Sequence, residues 1–267
     1  MISVVIIAKN EEKMIKACLE SVKWADEIIF YDNNSTDKTV EVAKKYTDKI
    51  YKFNELDYAK VKNEAFEKTK GDLIFYVDAD ERVLNNLKDE ILEIAEKGER
   101  AAYAVSRRNV IYGSEEKFGG FWPDWIIRVV KRDKFKGWKG EVHETLTFEG
   151  ELGYTKNSLL HLTHRDLEQV VLQSLNWSKI DAKLRLNSNH PKMSSWRFLR
   201  ILFGELFVLG IIKGGFFKGD RAVIDSILQT FSLVMTYVRL WEMQQKKPFE
   251  QVYEDLDKKL IEDNFKY

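Results

Sequence analysis

Three short apolar runs, residues 3–7, 27–31 and 73–77, recur along the first third of the chain, and each stops at a polar break. They are rich in β-branched and aromatic residues and too short for helices, so they read as buried strands. After the first two breaks the hydrophobic spacing turns helical. Met14, Ile15, Cys18, Leu19 and Val22 share one face, and Val40, Val42, Ala43 and Tyr46 share another. Strands that alternate with helices demand a parallel sheet with right-handed crossovers.

The third run ends in Asp78-Ala79-Asp80, followed by Glu81. Open α/β sheets bind ligands beyond the carboxyl ends of their strands. Two carboxylates one residue apart there can hold a hard divalent cation that keeps several waters and accepts the oxygens of a diphosphate. The plain alternative is a solvated turn that stops a strand.

Further on, helical spacing covers 58–69 and 84–97, with Gly98 as a helix-ending residue. Residues 101–111, 125–130 and 141–148 are strand candidates, the last two joined through a turn at Lys136-Gly137, with a polar loop at 113–120. Strands without intervening helices imply an antiparallel addition to the sheet. Past Arg165 the pattern is helical: 167–186, 194–212, 220–244 and 249–261. The expected domains are therefore 1–165, catalytic, and 166–267, a helical region associated with a membrane or an acceptor.

The chain has 43 basic and 43 acidic residues and a sequence pI near 6.9, which excludes the strongly basic footprint of a nucleic-acid binder. Cys18 is the single cysteine and reads as a buried structural thiol, consistent with a reducing cytoplasm. The N-terminal apolar run is only a strand long and no basic segment precedes it, so no targeting segment is expected.

Ala8-Lys9-Asn10-Glu11-Glu12, then the segment 31–39 (YDNNSTDKT), then 59–81 (AKVKNEAFEKTKGDLIFYVDADE) resemble family 2 of the inverting glycosyltransferases. The segment 121–146 (FWPDWIIRVVKRDKFKGWKGEVHETL) is similar to the branch of that family that builds lipopolysaccharide cores and other surface glycans. The resemblance implies an α/β fold of the GT-A nucleotide-diphosphosugar type, a Rossmann-like mixed sheet flanked by helices, with a helical C-terminal region.

By that resemblance Ala8, Asn10, Glu11, Asp32, Lys62, Asp78 and Ala79 bind a nucleotide-diphosphate sugar, UDP-linked by expectation. Asp32 would meet the nucleobase and Lys62 the diphosphate, although Asn33-Asn34 departs from the family pattern. Asp80 would be the principal ligand of Mg2+ or Mn2+, with Asp78 beside it. His143 is a third metal candidate, or an orienting residue, since neighbouring side chains of a strand point to opposite faces.

Inverting transfer also needs a carboxylate base on the acceptor side. Asp124 and Glu144 are both candidates, and the resemblance favours Glu144 as base and Asp124 as an acceptor-site residue. Arg128 and Arg132 could bind phosphate or pair with acids. His161 and His164, with no further ligands nearby in sequence, read as junction residues.

The expected acceptor is a glycolipid or glycan. Residues 196–212 combine large apolar side chains with Arg197, Arg200 and Glu205, too interrupted to span a membrane and suited to lying on one. Homodimer formation stays open. A nucleotidyltransferase would carry a glycine-rich loop after the first strand, which is missing here. An aspartyl-phosphate phosphatase would carry its paired acids on the first strand. A non-catalytic scaffold on the same fold is the remaining alternative, and the acids at 32, 78, 80 and 144 count against it.

Overall fold

A computed structural model describes residues 1–53, 58–116, 124–140 and 144–265. His143, a metal candidate from the sequence, lies outside these residues. The chain divides into two compact units, Met1–Arg165 and Asp166–Tyr267.

In the first unit the elements are β1 (Ile2–Ala8), α1 (Ile15–Val22), β2 (Glu27–Asp32), α2 (Thr39–Ala43), β3 (Ile50–Lys52), α3 (Tyr58–Lys68), β4 (Leu73–Tyr76), β5 (Glu81–Arg82) and α4 (Asn85–Lys97). They continue with β6 (Ala102–Ile111), β7 (Ser114–Glu116), β8 (Asp124–Lys131), β9 (Phe135–Lys139), β10 (Thr145–Phe148) and β11 (Leu152–Thr163). The main sheet runs β3-β2-β1-β4-β8-β6-β11-β5, with β7 on β6, and β9 pairs with β10 separately. Strands β3, β2, β1 and β4 are parallel. Beyond them β8 is antiparallel to β4 and β6, β11 is parallel to β6, and β5 is antiparallel to β11.

Both faces of the sheet are covered, which is why its strands are apolar without alternation. On β1, Val4 and Ile6 pack with Ile15, Leu19, Phe30 and Phe75. Val5 faces the opposite layer with Ile29, Tyr31, Phe66, Ile74 and Tyr76. Each such side chain contributes roughly 1.5–3 kcal/mol through burial. At the turn into β4, Gly71 donates its N–H to Ser3 Oγ at 2.8 Å. A Cβ there would stand 2.7 Å from the Ser3 nitrogen, so only glycine permits the approach.

The second unit is helical: α5 (Leu167–Asn187), α6 (Ser195–Phe207), a π-helical turn at Val208–Ile212, a 3-10 turn at Gly215–Phe217, α7 (Asp220–Met243) and α8 (Phe249–Glu262). Asp166 caps α5 by accepting from the Gln169 N–H at 2.7 Å. The interior of this unit combines an apolar cluster of Ala182, Met193 and Leu240 with many small polar residues. Ser174 and Ser178 of α5 are buried, as are Ala222, Asp225, Ser226, Thr230 and Thr236 of α7. Ser174, Ser226 and Thr230 donate to carbonyls of Val170, Ala222 and Ser226 one turn back on their own helices. Arg239 donates to Ser178 Oγ, and Arg185 to Tyr237 Oη, each at 2.9 Å.

Several sequence expectations need correction. Lys136-Gly137 is no turn: both lie inside β9, and the chain reverses at Arg132–Lys134. Residues 114–116 of the expected loop pair with β6 as a hairpin strand. Of the strand expected at 141–148, residues 145–148 form β10, and 141–143 lie outside the described residues. Strands β3, β5, β9 and β11 have no counterpart among the expected strands. The helix expected at 194–212 is α-helical only to Phe207 and widens into the π turn.

Candidate active site

The first two polar breaks close on each other at the carboxyl ends of β1 and β2, where Ala8 and Asp32 are register partners. The Asn10 N–H donates to Ser35 Oγ at 2.9 Å, and Asn10 Oδ1 accepts from the Thr36 N–H at 2.8 Å. Asn10 adopts a left-handed backbone at φ 54°, which asparagine tolerates well. The Glu11 N–H is held by Thr39 Oγ1 at 2.8 Å. Asp32 is buried, and its carboxylate accepts from the Ser35 N–H at 3.2 Å. The turn-capping role and a base-binding role for Asp32 are compatible, because the single Ser35 N–H, shared between the two oxygens at 3.2 and 3.3 Å, leaves further lone pairs on the carboxylate.

Asp78, Ala79 and Asp80 follow β4 directly. Glu81 is wholly buried and shapes the loop, accepting the Asp78 N–H at 2.9 Å. The buried Arg128 of β8 donates to Glu81 at 2.6 Å and also to the Asp78 carboxylate. Burial alone would raise the Asp78 carboxyl, but Arg128, with Lys62 and Arg107 nearby, holds it well below the usual carboxylate range. Arg128 is itself held charged by the two acids against the effect of burial. Its role is therefore to set the charge of the acidic loop.

His161 is the residue that sequence reasoning missed. β11 pairs with β5 so that His161 stands opposite Glu81, and the Leu162 N–H donates to the Asp80 carbonyl at 2.9 Å. This seats His161 Nε2 at 3.4 Å from Asp80 Oδ2. Its Nδ1 bonds Asn109 Oδ1 at 2.6 Å, while Asn109 Nδ2 donates to Asp124 Oδ2 at 3.1 Å. With the Asn109 oxygen facing the ring, Nδ1 is the donor of that contact, and Nε2 faces the Asp80 carboxylate. A carboxylate oxygen and an imidazole nitrogen brought within 3.4 Å of each other form a reasonable donor pair for Mn2+ or Mg2+. Among the described residues no three His, Cys, Asp or Glu side chains converge on one metal, so such an ion would be completed by diphosphate oxygens and water.

Asp124, at the start of β8, is pinned from one side. Arg107 Nε and Nη2 each reach its Oδ2 at 2.8 Å, and Asn109 donates to the same oxygen. Glu144 is paired differently. Lys62 Nζ lies 2.5 Å from Glu144 Oε1 and 4.3 Å over the Trp138 ring. Glu11 accepts a two-pronged contact from Arg165, at 2.9 and 3.2 Å. Burial raises the Glu11 carboxyl, and the nearby Asp80 adds to this against Arg165.

Arg132 and several neighbouring polar and aromatic side chains serve the fold. Arg132 is beyond β8 and binds the Gly71 carbonyl at 2.7 Å while its guanidinium stacks on Phe66, so it braces the opposite end of β4. Asn63, beside Lys62, clamps the Trp138 backbone with both amide atoms, at 2.7 and 3.0 Å, instead of facing a ligand. Trp138 is buried and Trp125 meets Tyr154 edge-on. The Cys18 thiol is buried, which pushes its pKa up, and it lies 3.4 Å from the Asp78 carbonyl.

Comparison with known proteins bears on the family and the fold. The chain is 28% identical over 259 residues to an uncharacterized glycosyltransferase of Rickettsia typhi, covering 92% of this chain and 88% of the relative. It is 27% identical to the lipopolysaccharide core biosynthesis glycosyltransferase LpsC of Rhizobium meliloti, over 76% of each chain. In fold it is similar to a mannosyltransferase from Pyrobaculum calidifontis in complex with GDP-Man and Mn2+, with a TM-score of 0.52, 11% identity and coverage of 91% and 88%. Residues 3–148 match glycosyl transferase family 2. The sheet, the acidic loop beyond β4 and this match together make the chain a member of glycosyl transferase family 2 built on the GT-A fold.

Proposed function

We propose that residues 1–165 form a metal-dependent, inverting sugar transferase that takes a nucleoside-diphosphate sugar as donor and a lipid-linked or surface-glycan acceptor. The observation that carries the metal reading is the facing pair of Asp80 and His161 at the carboxyl edge of a parallel sheet. The mannosyltransferase similar in fold is complexed with GDP-Man and Mn2+, and LpsC is named for lipopolysaccharide core synthesis. Mg2+ or Mn2+ would be held by Asp80 and His161, with Asp78 alongside, and would supply Lewis-acid stabilisation of the departing diphosphate.

The remaining roles follow from charge and pairing. Ala8, Asn10, Glu11 and Asp32 shape the nucleotide side, with Ala79 supplying backbone beside it. Lys62 neutralises diphosphate charge as a point cation. Glu144 is the base. Asp124 has one carboxylate oxygen, Oδ2, engaged by a guanidinium and an amide, and that cation weakens it as a proton acceptor, whereas a lysine drawn to diphosphate releases Glu144. In the transfer the acceptor oxygen bonds the anomeric carbon from the face opposite the diphosphate. The carbon–diphosphate oxygen bond breaks, and the acceptor proton passes to Glu144. Asp124 orients the acceptor. The free buried thiol of Cys18 fits work in the reducing cytoplasm.

The test is donor turnover on a panel of nucleotide sugars with Mn2+ present or chelated, using wild type and Glu144→Gln. The variant should keep donor affinity and lose about 10²- to 10⁴-fold in turnover. If Asp124→Asn shows that pattern and Glu144→Gln does not, the base assignment is reversed. Full activity in excess chelator would sink the metal role.

A further inference from the structure

Over most of α7 the second unit is built inside out relative to a water-soluble helical bundle. The buried positions of α7 are Ala222, Asp225, Ser226, Thr230, Thr236 and Leu240, five of them small or polar, while Ile224, Ile227, Phe231 and Trp241 of the same helix are exposed. Large apolar side chains are ordinarily the first to be buried in water. Close helix packing through small residues, with bulky apolar ones turned outward, is what helices adopt where the surroundings are lipid and no hydrophobic drive pulls them together.

Helix α6 and the turn after it carry the clearest face. Trp196, Leu199, Phe203, Phe207 and Ile211 recur at helical spacing and are all exposed, Trp196 and Phe203 by 72% and 62%. At 1.5 Å per residue the stripe is about 20 Å long. Its surroundings are basic in a chain that is neutral as a whole. Between positions 192 and 221, Lys192, Arg197, Arg200, Lys213, Lys218 and Arg221 stand against only Glu205 and Asp220. That combination of apolar stripe and cationic border complements an anionic headgroup layer over acyl chains.

We propose that this α6–α7 face rests on an anionic phospholipid surface, with the α6 stripe at the level of the acyl-chain ends and Arg200, Lys213, Lys218 and Arg221 at the phosphates. Trp196 sits at the interface depth that indole favours. The unit lies on the bilayer and does not cross it. Among the described residues α7 is the single helix long and apolar enough to span, but its neighbour α5 exposes Glu168, Gln173, Lys179 and Lys183. Arg239 of α7 is also tied to Ser178 of α5, so the two helices move as a pair. A second copy of the chain fits this face less well, because a twofold contact would set the same cations against themselves.

The inference stands apart from the chemistry assigned to residues 1–165, so its test is separate. Full-length protein is sedimented with vesicles of phosphatidylethanolamine and phosphatidylglycerol, and with phosphatidylcholine alone, and donor hydrolysis is followed in parallel. Partition onto the anionic vesicles should exceed that onto phosphatidylcholine by at least about tenfold. Exchange of Arg200, Lys213 and Lys218 for Gln should lower it by roughly 100-fold, at about a fivefold loss per cation. Phe203→Ser with Phe207→Ser should also release the protein, with donor hydrolysis unchanged in both variants. Because the charge variant alters only exposed side chains, it decides the matter even if the phenylalanine variant misfolds. Wild type that stays in solution with anionic vesicles overturns the proposal, as does binding that ignores lipid charge. A dimer in solution that the phenylalanine changes dissociate, without vesicle binding, assigns the face to a second copy instead.

Discussion

The two units handle apolar and polar groups in opposite ways. In Met1–Arg165 the largest wholly buried side chains include Tyr31, Tyr76, Phe30 and Phe75, and charge is buried mainly where it meets opposite charge, as at Glu81 and Arg128. In Asp166–Tyr267 the interior holds serine and threonine, and the aromatic residues Trp196, Phe203 and Phe217 are outside. The first unit is stabilised by the volume it removes from water. The second depends on close backbone approach and on hydroxyls satisfied within their own helices. The same substitution should therefore have unlike consequences in the two.

Activity gives the largest contrast. Asp80→Ala should lower turnover by roughly 10³-fold, the scale of losing one electrostatic contact to a departing group. His161→Ala should cost about 10- to 100-fold and weaken Mn2+ dependence, as measured by a metal titration of the rate. Arg200→Gln in the other unit should leave donor hydrolysis within about twofold. A comparable loss there would erase the division of labour.

Stability comes next. Phe75→Ala should destabilise by about 3–5 kcal/mol, and Phe203→Ala by no more than about 0.5 kcal/mol, in denaturant unfolding. Equal values would mean that Phe203 is covered in solution. Arg128→Met, which strands the buried Glu81 beside Asp78, should cost about 3–5 kcal/mol. The Asp78 pKa is lower in the folded chain than its ordinary 3.8, so the unfolded chain binds more protons in acid. Its stabilising contribution is complete above that ordinary value and is lost as pH falls through the lower folded one. Arg128→Met should remove that acid-side dependence, and a pH series of unfolding midpoints would show it.

Two glycines of the second unit should respond with opposite signs. A Cβ on Gly215 would stand 2.1 Å from Ser226 Oγ and 2.8 Å from the Leu209 carbonyl, so Gly215→Ala should destabilise by about 1–3 kcal/mol. Gly204 is in α6 with open space around it, and Gly204→Ala should stabilise by roughly 0.5–1 kcal/mol.

Much of the first unit was legible because local signals and tertiary demands coincide there. β1, β2 and β4 are buried on both faces, so their apolar runs are unbroken, and the acids at 32, 78 and 80 mark their ends. β3 and β5 are three and two residues long, too short for any period to register. β11 is longer, but Thr155 to Asn157 interrupt its register against β6, and its polar face serves the site. His161 was hidden for that reason. Its chemical partner lies 81 positions away and is brought to it only by pairing with a two-residue strand. The alternation in Leu160-His161-Leu162-Thr163 was the one local cue. In the second unit helix spacing was readable, whereas which side faced inward was not, because the usual apolar-inside rule points the wrong way.

The parallel return of β11 beside β6 also bears on where the enzyme's working unit ends. The family match stops at residue 148, yet the strand that carries His161 and anchors the Asp80 carbonyl runs on to Thr163. A fragment cut at the edge of the shared sequence would keep both aspartates of the acidic loop and lose the wall behind them. It would also bare the length of β6 as an unpaired edge open to other chains. Shared ancestry and mechanical completeness thus have different borders in this chain, and the later one is the border an expression fragment must respect.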